Sequence, residues 1–137
     1  MAEIDALGIT DNTRGVVMDD NGHLTKYAAG SGDTQMIYGG GEGSTLQGGV
    51  LDNAYVRWPG MIEAGTLVGD IIHETDLFTT FARLAGALEH VPTDRIIDGV
   101  DQTSLLINGD SYSRRDYVHI YTGETYAATA KGRFKRH

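Results

Sequence analysis

Three groups of residues in this chain have the types and spacing to do chemistry. The first is Asp19-Asp20-Asn21, with His23 two positions on. It directly follows the short apolar run Gly15-Val16-Val17-Met18, which reads as a buried strand. In open α/β sheets, sites form at the carboxyl ends of strands, so acidic groups there have a functional reading. Imidazole with carboxylates also suits a transition metal. The structural alternative is an Asn-Gly hairpin turn with Asp19, Asp20 and His23 in water. The second group is the glycine-dense run Gly39-Gly40-Gly41-Glu42-Gly43-Ser44-Thr45-Leu46-Gln47-Gly48-Gly49. Glycine lets the backbone approach a ligand and take positive φ, which suits an anion or metal site at the end of a sheet. The third is His73 with Asp76, three apart and therefore on one helix face. They read as metal ligands, as a hydrogen-bonded pair, or as helix capping.

Other chemistries are excluded or unsupported. The 137 residues contain no cysteine, so thiolate metal sites, disulfides and cysteine nucleophiles are absent from them. Serines and histidines are present without a Gly-x-Ser-x-Gly elbow, and Gly30-Ser31-Gly32-Asp33 reads as a flexible turn. A net charge of −8 repels nucleic acid and anionic membranes. The basic run Lys131, Arg133, Lys135, Arg136 and His137 reads as a solvated terminal strand. No apolar run approaches the ~18 residues of a membrane span, so a soluble chain is expected, with its compartment open. Tyr112, Tyr117, Tyr121 and Tyr126 form an aromatic stripe suited to core or interface packing. His119 alternates within its strand and faces solvent or a partner; His90 and His137 receive no role.

The elements that must position these groups follow from pattern. Ala2 to Leu7 forms a short helix, and residues 23 to 50 form loop with one strand around Met36-Ile37-Tyr38. Ala54 to Trp58 is a strand closed by Pro59-Gly60. Asp70 to Leu88 is the main amphipathic helix, with Ile71, Ile72, Leu77, Phe78, Phe81, Leu84, Ala85 and Leu88 at three- and four-residue spacing. A bend falls at His73-Glu74, with Thr75-Asp76 restarting the helix. Gly86 weakens its end and Pro92 forbids continuation. Gln102 to Ile107 makes one helical turn. Tyr117 to Tyr121, Thr125 to Lys131 and Phe134 to His137 form an antiparallel meander. The expected fold is α/β: a partial mixed sheet, one main amphipathic helix and a C-terminal meander. It forms a single domain over 1–137, with a core α/β portion to about 108 and an antiparallel portion from about 109.

Four segments, in order, resemble the C-terminal part of the sulfatase (arylsulfatase) family of the alkaline-phosphatase-like superfamily. They are Asp11-Asn12-Thr13 through Asp19-Asp20-Asn21-Gly22, then Gly41 to Gly49 with Arg57-Trp58-Pro59-Gly60, then Asp76-Leu77-Phe78-Thr79-Thr80-Phe81 with Leu84-Ala85-Gly86. The fourth comprises Pro92-Thr93-Asp94-Arg95, Asp98-Gly99-Val100-Asp101, Tyr121-Thr122-Gly123-Glu124 and Lys131-Gly132-Arg133-Phe134-Lys135. The resemblance implies that Asp20 and Asn21 fall on the family's calcium-binding pair, with two further carboxylate ligands supplied by an N-terminal segment. A divalent metal is thus the implied cofactor: calcium by resemblance, a transition metal at Asp19, Asp20, His23 and Glu42 as the alternative.

The resemblance also implies departures from the family's chemistry. Glu42 stands where sulfatases place a lysine that contacts sulfate, Gln47 stands for a glutamate, and Leu51 for an arginine. The formylglycine nucleophile arises from a Cys/Ser-x-Pro-x-Arg motif, and Ser31, Ser44, Ser104, Ser111 and Ser113 lie outside such a context. A carboxylate at 42 reverses the electrostatics that an anionic ester needs. Three expectations follow: a sulfatase-like segment that does not hydrolyse sulfate esters alone, an oligomeric or partner-binding module, or a metal-dependent enzyme with an acquired site at Asp19, Asp20, His23 and Glu42. The partner is a second copy or a missing N-terminal half, not nucleic acid or membrane; catalytic residues stay unassigned.

Overall fold

A computed structural model describes residues 1–24, 37–109 and 112–137. The chain opens with helix α1 (Ala2–Ala6) and a 3-10 turn at Thr10–Asn12, then enters strand β1 (Gly15–Met18). Its partner is β2 (Ala54–Arg57), antiparallel, with Gly15 opposite Arg57 and Met18 opposite Ala54. The hairpin reading of Asn21-Gly22 is therefore wrong: β1 runs into a turn and pairs with a strand beyond the glycine loop. Within that loop a one-turn helix, α2 (Gln47–Val50), forms where the sequence pattern reads as loop. Ile37 and Tyr38 lie in a bend and not in a strand; Met36 and the Gly30–Asp33 turn fall outside the described residues.

Helix α3 spans Asp76–Leu84, shorter than the predicted 70–88. At its start, the Thr75 backbone N–H donates to His73 Nδ1 at 3.2 Å, and the His73 backbone N–H donates to Asp76 Oδ2 at 2.9 Å. Those bonds stabilise a turn that helix geometry would break. At its end, Gly86 takes φ +68°, and Ala87 N–H donates to Ala82 O at 2.8 Å, the 6→1 bond of a Schellman stop. A 3-10 turn follows at Leu88–His90. Helix α4 occupies Thr103–Asn108, one residue beyond the predicted turn.

The periodicity of α3 predicts a buried apolar face, and the structure instead buries a polar edge most deeply, with Leu77 and Leu84 half-buried. Asp76 and Thr80, at i and i+4, are 1% and 0% exposed, while Phe78 and Phe81 are 54% and 39% exposed. The polar edge is turned inward because it is fully bonded there. Asp76 accepts from Arg115 Nε at 2.8 Å and from the Val100 backbone N–H at 2.7 Å. Thr80 Oγ1 donates to Asp76 O at 2.6 Å and accepts the Gln102 N–H at 2.9 Å. Gln102, also buried, accepts at Oε1 from the Arg114 N–H at 3.1 Å. This hub fastens α3, the start of α4 and the segment at 113–115 to one another.

The C-terminal meander forms as predicted: β3 (Val118–Thr122), β4 (Thr125–Lys131) and β5 (Phe134–Arg136), in order β3-β4-β5, all antiparallel. Alternation sends Ile120 and Ala128, cross-strand partners, into the interior. Tyr117, His119 and Tyr121 are exposed, and their rings form a chain through Tyr126, with centroids 4.7 Å apart for Tyr117–His119, 5.8 Å for His119–Tyr126 and 5.9 Å for Tyr121–Tyr126. The tyrosine stripe is thus exposed and does not build the core. The α/β class holds, with antiparallel pairing in both described sheets. Among the described residues no helix is long and apolar enough to cross a membrane.

Candidate functional site

The turn after β1 and the glycine loop are locked backbone to backbone. Gly22 N–H donates to Gly49 O at 3.0 Å, Glu42 N–H to His23 O at 2.8 Å, and Gly48 N–H to Gly39 O at 2.9 Å. The Asp19 N–H donates to Asp52 Oδ2 at 2.9 Å, which fixes the exit of β1. A Cβ at Gly22 would lie 2.1 Å from Gly48 O, and one at Gly48 would lie 2.6 Å from Gly40 O and 2.8 Å from Tyr38 O. These glycines are required by close approach of the chain to itself. That packing presents Asp20 and Asn21 at the carboxyl end of β1, Asp20 exposed and Asn21 half-buried.

Asp19, Asp20 and Asn21 open onto a cleft of 1010 Å³ whose other walls include Gln47, His73 and Lys135. The cleft lies between the glycine loop and the meander, and its ends differ in charge. Carboxylates gather at the β1 end, with Asp52 and Glu74 also on the wall; Arg133, Lys135 and His137 approach from the meander. Of the terminal basic run, Lys131, Arg133, Arg136 and His137 are exposed as predicted. Lys135 is half-buried, against the expectation of a solvated strand. Its Nζ donates to Gln47 Oε1 at 3.5 Å, and burial pushes its ammonium below the usual lysine range.

The residues present do not by themselves fit a calcium ion. Asp20 and Asn21 offer oxygen donors from two side chains, where the ion takes roughly 6–8. Among the described residues no three His, Cys, Asp or Glu side chains converge to hold a metal. Asp19, Asp20, His23 and Glu42 are thus close along the folded backbone without forming a ligand cluster. Glu42 is exposed, held by its backbone N–H and not by its carboxylate.

Of the three readings of His73 and Asp76, the structure shows the hydrogen-bonded pair: the His73 backbone N–H donates to Asp76 Oδ2 at 2.9 Å, and the Asp76 N–H donates back to His73 O at 2.8 Å. His73 Nδ1 contacts Thr75 Oγ1 at 3.0 Å and receives the Thr75 N–H, while Asp76 is the anionic centre of the buried hub. Burial pushes the Asp76 carboxyl up. Hydrogen bonds from Arg115, Val100 and His73, with the charge of Arg115, override that push and hold it below the ordinary aspartate range. Ser44 and Ser113 serve the backbone and the hub: Ser44 Oγ accepts the Gly41 N–H, and Ser113 Oγ donates to Ile71 O. Ser104 is exposed, and Ser31 and Ser111 lie outside the described residues. Sequence reasoning missed Arg115, Gln102, Asp52 and the inward turn of Lys135. The first three belong to no local motif. The period-2 alternation of β5 was the one available signal for Lys135.

No family model matches the chain. It is similar to the steryl-sulfatase of Rattus norvegicus, 36% identical over 134 residues, covering 95% of this chain and 23% of that protein. It is similar to the N-acetylgalactosamine-6-sulfatase of Mus musculus, 34% identical over 131 residues, covering 96% of this chain and 24% of the relative. The crystal structure of the PsFucS1 sulfatase from Pseudoalteromonas sp. superposes with a TM-score of 0.87 at 30% identity, over 98% of this chain and 26% of that one. The chain therefore spans about a quarter of the length of the relatives it matches.

Proposed function

We propose that this chain, a sulfatase-family segment in sequence and fold, forms one wall of a sulfatase-type site and does not hydrolyse sulfate esters unaided. The observation that carries this reading is Glu42. Its exposed carboxylate stands on the loop where the resemblance implies a sulfate-binding lysine, and it repels the anion that the lysine would hold. The same wall offers side-chain oxygens from Asp20 and Asn21 toward a divalent cation, too few to retain one. When bound, such a cation would stabilise negative charge on the ester oxygens. The nucleophile and the remaining ligands are supplied by other polypeptide.

The surface supports completion by a partner. Both strands of the β1–β2 ribbon have an unpaired outer edge among the described residues, and Val17 and Tyr55 on them are exposed. A two-stranded ribbon is marginal by itself. The occupant is polypeptide carrying the rest of the fold, or a second copy of this chain. The decisive assay is turnover of 4-nitrophenyl sulfate by the pure 137-residue chain with calcium present. No turnover is expected; catalysis above the buffer rate would overturn the reading of Glu42.

A further inference from the structure

The chain's other cations show what is unusual about Lys135. Arg57, Arg83, Arg95, Arg114, Arg115 and Lys131 each meet a carboxylate at 3.1 Å or less. Arg14 and Arg133 lie over the rings of Trp58 and Phe134. Among the described residues two cations have neither kind of partner, Arg136, which is exposed, and Lys135. Among the described residues its ammonium has one polar neighbour, the neutral Gln47 Oε1 at 3.5 Å, at the outer limit of a hydrogen bond. Yet the residue is half-buried in the cleft wall. An ammonium stripped of part of its water and left without a counter-charge is held at a cost.

We propose that Lys135 and Gln47 form an oxyanion-binding position in the wall of the cleft, taking a monoanionic ester group such as a sulfate monoester. An oxyanion would give the ammonium its missing charge-assisted bonds. The Gln47 amide carries two N–H donors at its Nε2 to add to them. A single charge suits the place better than the double charge of a phosphate monoester, because Asp19, Asp20 and Glu74 line the same cleft in a chain of net charge −8. The inference rests on the reading above in one respect: the bound ester is not cleaved.

Calorimetric titration of the full chain with methyl sulfate, at ionic strength balanced with sodium chloride, tests the assignment. Saturable binding is expected, tighter than that of inorganic phosphate. Lys135→Met should weaken it about tenfold or more. Arg136→Met, which removes the same charge from an exposed neighbour on the same strand, should leave it unchanged. Gln47→Glu places a carboxylate beside the ammonium and should abolish binding while raising the melting temperature. That variant decides the matter even if Lys135→Met does not fold. Equal losses in the two lysine and arginine variants would reduce the site to a diffuse basic patch. Undiminished binding by Gln47→Glu, tighter binding of phosphate, or no binding by the folded wild type would each overturn the proposal. Turnover of 4-nitrophenyl sulfate would instead overturn the functional reading and leave the Lys135 site standing.

Discussion

Asp76 is almost wholly withdrawn from water and still carries a charge, because five donors converge on it: two backbone N–H groups, the Gln102 amide and two guanidinium nitrogens of Arg115. Removing one partner of such a buried pair leaves the other unpaired, so Asp76→Asn should cost about 3–5 kcal/mol in urea denaturation at pH 7. The folded carboxyl is held below its ordinary value, so the native state binds fewer protons than the unfolded chain. The stabilisation is complete above about pH 4 and is lost as pH falls through the folded value. Wild-type stability should therefore drop more steeply on acidification below that point than Asp76→Asn stability; parallel curves would refute the ion pair's role. Spacing placed Asp76 on a face with His73. Arg115, 39 residues away, was beyond any periodic rule, since the pairing exists only once α3 and the segment before β3 are packed together.

Among the elements, β1 to β5, α1 and α4 were legible, because their signals are local: alternation in β3 and β4, apolar runs at β1 and β2, a helical turn at α4; the one-turn helix α2, in a glycine-dense run, was not. Helix α3 was placed correctly and drawn too long, because apolar spacing continues past residues whose side chains bond to the backbone and break the helix. The glycine loop carried a composition signal without a cause. Its cause is backbone packing that leaves no room for a Cβ at Gly48. Gly48→Ala should destabilise the chain by about 1–3 kcal/mol through overpacking, read as a lowered urea midpoint. It should also broaden the amide signals of Asp20 and Asn21, whose turn the loop supports. A midpoint matching wild type would mean that the loop relaxes freely.

At the scale of the whole molecule, the chain hides a polar hub and shows apolar side chains. Phe78 and Phe81 on α3, with Leu88 in the turn beyond, form an exposed apolar stripe that water disfavours. Purified alone, the chain is expected to sediment as an oligomer or to bind an apolar dye. Phe78→Asp should reduce either behaviour while changing folding stability by no more than about 0.5 kcal/mol, as for an exposed site. A monodisperse, dye-silent wild type would show that the stripe needs no cover. The residues alone determined the class of fold, the strand–turn that presents Asp20 and Asn21, and the family whose pattern they follow, since each is written in short-range composition and order. Only the tertiary structure decided which face of α3 is buried, that the glycines serve the chain's own backbone, and that Lys135 turns into the cleft. Burial is a property of what packs opposite a residue, and its neighbours in sequence do not specify that.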